Sequence, residues 1–211
     1  MKIRQEEPKD YRQVEALIKK AFWNVNVPGC DEHYVAHCLR RHPDFIPELS
    51  LVLEEENEIV ASVLYTKARL VDETGKDMEI LTFGPVAVAP EMQRKGYGKA
   101  LLEHSFTMAA QMGFEAIVIF GHLGNYVNRG FQSCKKHGVS LEGGVFPTAM
   151  LVKELREGVL SGHSWQYRES EAYQVDRTGF AEFDKGFPQY VPEVKPSQEE
   201  FYIYSHSRIC G

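Results

Sequence analysis

The apolar residues near the start of the chain recur every three or four positions, which is the spacing of one face of a helix. The pattern is formed by Val14, Leu17, Ile18, Ala21 and Phe22. It predicts a helix that begins near Asp10, with that aspartate as N-cap, and that packs against a sheet. A short strand is predicted before it, at Ile3, and a second helix is predicted between its N-cap Asp31 and Pro43.

After these helices the apolar positions follow the spacing of strands. Residues 51–53 and 59–65 are apolar runs joined by an acidic turn, which predicts a hairpin, and residues 78–88 return as the next strand. A helix that runs to about Gln111 then leads into an apolar strand at 116–121. Because a strand-helix-strand crossover makes its two strands parallel, we expect one parallel pair in a mostly antiparallel sheet flanked by helices. The predicted fold class is α/β with a mixed sheet.

The length of 211 residues is most simply one domain with one core and an extension. Residues 1–157 are predicted to form the domain and to end in a hairpin over residues 139–152. Residues 158–211 are rich in aromatic side chains, which argues against disorder. We expect this extension to pack on the domain or to form a homodimer contact.

The composition excludes several classes of protein. The formal net charge is −6, which argues against a nucleic-acid or anionic-membrane binder. No apolar run approaches the ~20 residues that span a bilayer, and the first residues lack the apolar core of a signal peptide, so the cytoplasm is the expected location. The four cysteines are scattered, which indicates reduced thiols. No metal site is expected, because His33 and His37 lack a third ligand nearby and such pairs usually lie on the surface.

One stretch combines a strand end, a glycine-rich turn and a helix start. A buried strand over residues 83–88 is followed by a turn, and residues 93–98 open the next helix. The unpaired N–H groups of such a turn, together with the helix dipole, favour a phosphate or pyrophosphate. Arg94, Lys95 and Lys99 add positive charge in an acidic chain. The charges alone would suit a solvated loop as well, so the prediction depends on the glycine spacing and its context.

Two common phosphate motifs do not fit this turn. A Walker A loop that ends at Gly98 and Lys99 would need a hydroxyl residue next, where an alanine stands. A dinucleotide fingerprint that begins at Gly96 would need a small residue five positions later, where a leucine stands. What remains is Gln93-x-x-Gly96-x-Gly98, which resembles the acyl-CoA loop of the GCN5-related N-acetyltransferases, the GNAT superfamily.

The resemblance implies a fold, an activity and a co-substrate. The fold would be GNAT-like, with a parallel strand pair that splays apart at the acyl-CoA site because of a bulge near residues 86–88. The activity would be transfer of an acetyl group from acetyl-CoA to a primary amine of a small molecule or peptide, by direct attack in a ternary complex. The residues implied to hold acetyl-CoA are Val86, Ala87, Val88, Gln93, Arg94, Lys95, Gly96, Tyr97, Gly98, Lys99, Ala100 and Asn125.

A second motif carries the expected catalytic acid. The string Tyr126-x-x-x-Gly130-Phe131, with Asn125 before it, resembles the segment that follows the fifth strand in this family, although Arg129 replaces the usual apolar residue. The resemblance implies that Tyr126 protonates the departing CoA thiolate, which a phenol of pKa ~10 can do before it recovers its proton. The alternative interpretation is a tyrosine of the core or of the pocket wall.

The general base is harder to assign. Histone-type members of the family have a glutamate on this strand at the position that Thr82 holds in this chain. Glu79 is the nearest carboxylate on the strand and is a catalytic candidate, although strand alternation points it to the opposite face unless a bulge intervenes. Otherwise the proton would leave through water or through a residue outside this strand.

Two functions from different classes are therefore compatible with the sequence. The first is an N-acetyltransferase, and the alternative is an acyl-CoA-binding module or degenerate paralogue without turnover, which the missing strand glutamate and Arg129 motivate. The acidic net charge favours a cationic small molecule or a basic peptide as acceptor. The residues expected to border the acceptor are Phe22, Trp23 and Tyr34, with Trp165 or Tyr173 as candidates to cover it.

Overall fold

The chain folds around one mixed sheet, and the computed structural model describes residues 1–210. The strands in this range are β1 (Lys2–Gln5), β2 (Leu51–Glu55), β3 (Glu58–Asp72), β4 (Asp77–Val88), β5 (Ala116–Phe120), β6 (Gln132–Ser133), β7 (Val139–Ser140), β8 (Met150–Glu154) and β9 (Trp165–Arg168). The helices are α1 (Tyr11–Phe22), α2 (Glu32–Leu39), α3 (Tyr97–Gln111), α4 (Leu123–Tyr126), α5 (Phe180–Asp184) and α6 (Pro196–His206).

The sheet order is β1-β2-β3-β4-β5-β8-β6, and β9 pairs with both β3 and β7. The strands β4 and β5 are parallel, with Leu81 opposite Ile117, as the crossover predicted. The pair β7–β9 is also parallel, which the pattern did not predict. The hairpin predicted over residues 139–152 is wrong. Only Leu141 and Val145 bridge across its turn, and β8 pairs with β5 and β6 instead.

Helices cover both faces of the sheet. One face packs against α3 through a buried cluster that includes Tyr65, Phe83 and Phe106. The other face packs against α1 and α2 through a second cluster, to which Leu64 and Ala87 belong. A third cluster on this second face is built mainly from β3, β4, β5, β8 and β9 side chains. The strand β4 contributes to all three clusters and lies in the middle of the sheet order, so it is the central strand.

A bulge interrupts β4 before the end of the strand. Tyr65 of β3 faces Phe83, and Val63 faces Val86, so that Leu64 alone stands opposite the two residues Gly84 and Pro85. The bulge therefore lies just before residues 86–88, where the resemblance had placed it. Beyond Leu81 the strands β4 and β5 share no further paired residues within the described part of the chain. The parallel pair thus opens toward its C-terminal end.

Asp10 and Asp31 occupy the N-cap positions of α1 and α2 as predicted, but neither side chain makes a capping hydrogen bond to its helix. The Asp10 carboxylate accepts the N–H of Glu7 at 2.8 Å and pairs with Arg4 at 2.5 Å, so it stabilises the turn before α1. Asp31 makes no side-chain bond to the first turn of α2 and instead pairs with Arg177 of the extension. In each case a guanidinium from elsewhere in the fold competes successfully for the carboxylate, because a charge-assisted bond is stronger than a cap.

The extension is docked on α1 and α2 by a buried charged group. Asp184 of α5 lies 2.5 Å from Lys19 Nζ and 2.8 Å from His33 Nε2. Both partners are fully or almost fully buried, so the interpretation of His33 as a surface residue is wrong. Trp23 donates its indole N–H to the Val191 carbonyl, 3.1 Å away. Among residues 1–210, no helix combines the length and apolarity needed to cross a bilayer.

Candidate active site

The end of β4 presents unpaired backbone groups toward the opening beside β5. Ala89 donates its N–H to the Val60 carbonyl of β3 at 2.9 Å. Since successive residues of a strand point their N–H groups to opposite edges, Val86 and Val88 direct theirs away from β3 and toward the gap. Ala87 stands opposite Ser62 of β3 and packs its methyl group on the α1 face. Of these three residues, Val86 and Val88 therefore have free backbone N–H groups for an extended ligand, and Ala87 does not.

The turn after β4 forms a concave run of backbone that ends in a free helix N-terminus. Gln93 is extended, Arg94 has φ 63° and Gly96 has φ 92°, so α3 begins at Tyr97 and not at Gln93 as the pattern predicted. The Gln93 side chain donates to the Val88 carbonyl at 3.2 Å, which ties the turn to the strand end. Such alternation of left-handed and extended residues arranges N–H groups around one point, as an anion requires.

Gly98 brings the start of α3 against the strand end. A Cβ at this position would lie 3.1 Å from Cγ2 of Val88, so a side chain would push the helix away from β4. The first N–H groups of α3, at Tyr97, Gly98 and Lys99, have no partner within a helix. Ala100 differs from them, because its N–H already bonds the Gly96 carbonyl at 2.9 Å. The turn and the open edge of β4 therefore form one continuous surface.

The basic side chains of this turn are open to solvent. Arg94, Lys95 and Lys99 are all exposed, and Lys99 lies 3.7 Å from Glu103 one helical turn later. An exposed pair of this kind contributes little to stability. These three cations are therefore available to a phosphate without the loss of a structural ion pair.

Tyr126 lies across the gap from β4. Its ring centroid is 5.8 Å from that of Phe83 and 5.7 Å from that of Phe131, and a Cβ at Gly121 would clash with the ring. Burial raises the pKa of the phenol to about 12, although Arg129 acts in the opposite direction. The group is therefore protonated at neutral pH and is available as a proton donor.

Arg129, which replaces the apolar residue usual in the family, has a local structural role. Its guanidinium donates to the Asn125 carbonyl at the end of α4, and its own carbonyl accepts from Lys153 Nζ at 2.9 Å. These bonds stabilise the short helix that carries Tyr126. The side chain of Asn125 is exposed on this helix.

The structure does not bring Glu79 to the gap. The bulge does put Glu79 on the face that Val86 occupies, but seven residues of strand separate the two, which is about 23 Å at ~3.3 Å per residue. Its carboxylate instead pairs with Lys67 at 3.0 Å on an exposed part of the sheet. Glu79 is therefore too remote to accept a proton from an amine at Val86, which corrects its candidacy as a catalytic base.

The extension reaches the bulge through Tyr173. Its hydroxyl donates to the Gly84 carbonyl at 3.1 Å, so a residue far along the chain stabilises the strand distortion that opens the site. Trp165, the other candidate cover, is buried in the core and has no surface to offer. Trp23 and Tyr34 are half-buried, because Tyr190 packs on the first and Phe180 on the second. Only the aromatic content of the extension could have indicated these contacts from sequence.

Comparison with known proteins decides the family. The sequence of residues 14–134 matches the family described as acetyltransferase (GNAT), and this match spans more than half of the chain. The chain belongs to the GNAT family. It is therefore an acyltransferase, as the two motifs predicted. The matched segment contains the turn, the open strand edge and Tyr126, whereas β9, Tyr173 and α6 lie beyond it.

Individual GNAT relatives are similar to this chain in sequence and in fold. An uncharacterised N-acetyltransferase of Escherichia coli K12, YhbS, is 25% identical over 163 residues, which cover 77% of this chain and 92% of that protein. The crystal structure of Escherichia coli YhbS in complex with CoA is similar with a TM-score of 0.70 at 21% identity, covering 82% of this chain and 92% of that one. A GNAT family acetyltransferase from Brucella melitensis, in complex with acetyl-CoA, has a TM-score of 0.64 at 20% identity, with 82% and 97% covered. The predicted fold class is confirmed.

Proposed function

We propose that this GNAT protein transfers an acetyl group from acetyl-CoA to a primary amine of a small molecule or peptide, by direct attack in a ternary complex. One observation carries the proposal: the open edge of β4 at Val86 and Val88 is continuous, through Gly98, with the free N-terminus of α3. A strand edge suits the amide-bearing pantetheine arm, and a helix N-terminus suits a pyrophosphate. The CoA and acetyl-CoA complexes of the two similar structures support this donor.

In this proposal each residue has a defined task. The N–H groups of Val86 and Val88 hold the arm, and one of them polarises the thioester carbonyl. The turn from Gln93 to Lys99 holds the pyrophosphate with backbone N–H groups and exposed cations. Tyr126 gives its phenolic proton to the thiolate sulfur as the C–S bond breaks. An alkylammonium of pKa ~10.4 must first lose a proton, at a cost of about 4.6 kcal/mol at pH 7, so a base or a desolvating pocket is needed.

Substitution of Gly96 by alanine is expected to weaken acetyl-CoA binding about tenfold. Gly96 has φ 92°, and a non-glycine residue in this region is strained by about 1–3 kcal/mol, which the turn relieves by moving its N–H groups. Gly75, at the tip of the β3–β4 hairpin, has φ 86° and equally open surroundings, so Gly75→Ala is a matched control. Isothermal titration with acetyl-CoA measures both. Equal affinity in the two variants would remove this turn from the proposed donor site.

Turnover distinguishes the enzyme from an acyl-CoA-binding module. The module has one observation in its favour, since β4 carries no carboxylate within reach of Val86 and Val88. The purified protein is incubated with acetyl-CoA and a panel of polyamines, amino acids, aminoglycosides, arylalkylamines and lysine peptides, and free thiol is measured. Release of CoA thiol that depends on one class of amine supports the transferase. Tight acetyl-CoA binding without thiol release on any amine supports the module.

A further inference from the structure

Two carboxylates and an imidazole come together where the β3–β4 hairpin meets the start of β9. Asp72 ends β3, Glu73 follows it in the hairpin turn, and His163 stands two residues before Trp165, which pairs with Asp72. One ligand atom from each of the three residues lies within 4.8 Å of the other two. His163 Nδ1 is 3.2 Å from Asp72 Oδ2 and 3.4 Å from Glu73 Oε1. The three donor atoms therefore form a compact triangle.

The Asp72 carboxylate has one oxygen that is hydrogen-bonded and one that is not. Its Oδ1 atom accepts bonds from Thr74 N at 2.9 Å, from Thr74 Oγ1 at 2.6 Å and from Lys76 N at 2.9 Å. The side chain is 0% exposed, and Oδ2 has no hydrogen-bond partner, because its contact with His163 Nδ1 lacks the geometry of a hydrogen bond. An unpaired oxygen of a buried carboxylate is costly, so Oδ2 indicates a cation that it binds.

The other two side chains are held in place by contacts around the cluster. Glu73 Oε2 accepts the N–H of Ser164 at 2.8 Å, which turns Oε1 toward the imidazole. The His163 ring packs against that of Trp165, with centroids 5.4 Å apart. Partners of this kind orient the ligands of metal sites. The side chains of Glu73 and His163 are 49% and 36% exposed, so an ion can enter from solvent.

The cluster carries negative charge that no cation of the chain balances. In the part of the chain that the structure describes, Asp72 and Glu73 form ion pairs with His163 and with no lysine or arginine. The three hydrogen bonds to Asp72 favour its ionised form. With a neutral imidazole, the two carboxylates leave a charge that one divalent cation neutralises.

The distances suit zinc. Bonds of about 2.0–2.1 Å at the tetrahedral angle separate neighbouring ligand atoms by about 3.3–3.4 Å. The two separations from His163 Nδ1 are 3.2 Å and 3.4 Å, so the ion fits with little movement of the side chains. An imidazole ligand favours zinc over magnesium and calcium, which take oxygen ligands. Water would be the fourth ligand.

We propose that Asp72, Glu73 and His163 form a zinc site that ties the β3–β4 turn to the start of β9. Zinc then cross-links two segments that are 91 positions apart and stabilises the extension on the sheet. No short spacing connects these residues in the sequence, which is why no metal site was predicted there.

The zinc site is separate from the proposed donor site. Asp72 stands nine residues along β3 from Val63, the partner of Val86, which is about 30 Å at ~3.3 Å per residue. The inference therefore goes beyond the proposed acetyl transfer and does not depend on it.

His163→Gln tests the site, with His42→Gln as the matched control. His42 faces the carboxylate of Asp44 at 3.7 Å but belongs to no such cluster among residues 1–210. Protein stripped with EDTA, with its thiols reduced, is titrated with zinc chloride in a calorimeter. The wild type and His42→Gln are expected to bind one zinc ion with equal affinity. In His163→Gln the affinity should fall at least about a hundredfold, since even the outer partners of ligands contribute about 10–100-fold.

Cobalt distinguishes this site from zinc binding by cysteines. Cys38 and Cys210 are not buried, and a thiolate ligand would give Co²⁺ a charge-transfer band in the near ultraviolet. The proposed nitrogen and oxygen ligands give only the visible bands of a tetrahedral ion. Zinc should also raise the urea midpoint of the wild type and slow amide exchange in residues 163–168, and it should do neither in His163→Gln.

Glu73→Gln supplies a second test at an exposed position and should lose zinc affinity to a similar extent. An unchanged urea midpoint in EDTA shows that each variant is folded. Loss of zinc binding in His163→Gln and Glu73→Gln, but not in His42→Gln, supports the site. The proposal is overturned if the wild type binds no zinc, if His163→Gln binds it as tightly as the wild type, if His42→Gln is equally impaired, or if the cobalt spectrum contains the thiolate band.

Discussion

Tyr126→Phe is expected to lower kcat about a hundredfold while KM for acetyl-CoA changes less than about twofold, because proton donation acts in the transition state and not in donor binding. The phenylalanine keeps the ring contacts with Phe83 and Phe131, so the pocket wall is preserved. Only the hydroxyl is lost. Steady-state thiol release with the best acceptor of the panel measures both constants.

The pKa of about 12 for the Tyr126 phenol adds a pH dependence to this test. A phenol with that pKa is protonated throughout pH 6–10, so the loss in Tyr126→Phe should be constant over this range. Tyr190→Phe, on the exposed tyrosine that packs against Trp23, is the control and should retain full kcat. An unchanged kcat in Tyr126→Phe would assign this tyrosine to the pocket wall. A rise in KM alone would assign it to donor binding.

Asp184→Asn is expected to lower the free energy of unfolding by about 3 kcal/mol, the lower end of the cost of breaking a buried ion pair. Lys19 is 1% exposed and would lose the carboxylate partner that lies 2.5 Å away. Glu182 lies on the same helix, and both it and its partner Lys185 are exposed, so Glu182→Gln should change the free energy by less than about 0.5 kcal/mol. Urea unfolding at pH 7 measures the two variants. A similar small change in both would show that the extension is not anchored through Asp184.

The same group makes stability depend on pH. Burial lowers the pKa of His33, with Asp184 opposing, and for Asp184 the bonds from Lys19 and His33 outweigh burial and lower its pKa. Both groups bind a proton more readily when unfolded. Their contributions are therefore present at neutral pH, and acidification removes the His33 part below about pH 6.5 and the Asp184 part below about pH 4. His33→Gln should reduce the loss of stability between pH 7 and pH 5.

The local geometry of the proposed donor site was predictable because it lies in consecutive residues. Backbone angles of a glycine turn and the free N–H groups of the next helix depend on few neighbours, so Gly96, Gly98 and their strand could be interpreted without the fold. The bulge position depends on how β4 pairs with β3. Even so, the resemblance placed it within two residues of Gly84 and Pro85.

The errors concern residues whose partners are distant in sequence. Glu79 was a reasonable base on the strand, but its ion pair with Lys67 depends on how β4 pairs with β3. His33 was predicted to lie on the surface. In the fold it is covered by Asp184, which lies 151 positions later in the sequence. Charge-assisted contacts between residues so far apart in the sequence leave no periodic pattern in it.

The sequence by itself determined the family and the glycine turn that we propose as the donor site, since both are encoded in short strings whose backbone geometry is local. Only the tertiary structure decided how the extension packs on the sheet. There β9 pairs with β3, and the Tyr173 hydroxyl donates to the Gly84 carbonyl at the bulge. Side chains that meet through strand pairing and helix docking are selected by packing and burial, which no local spacing records.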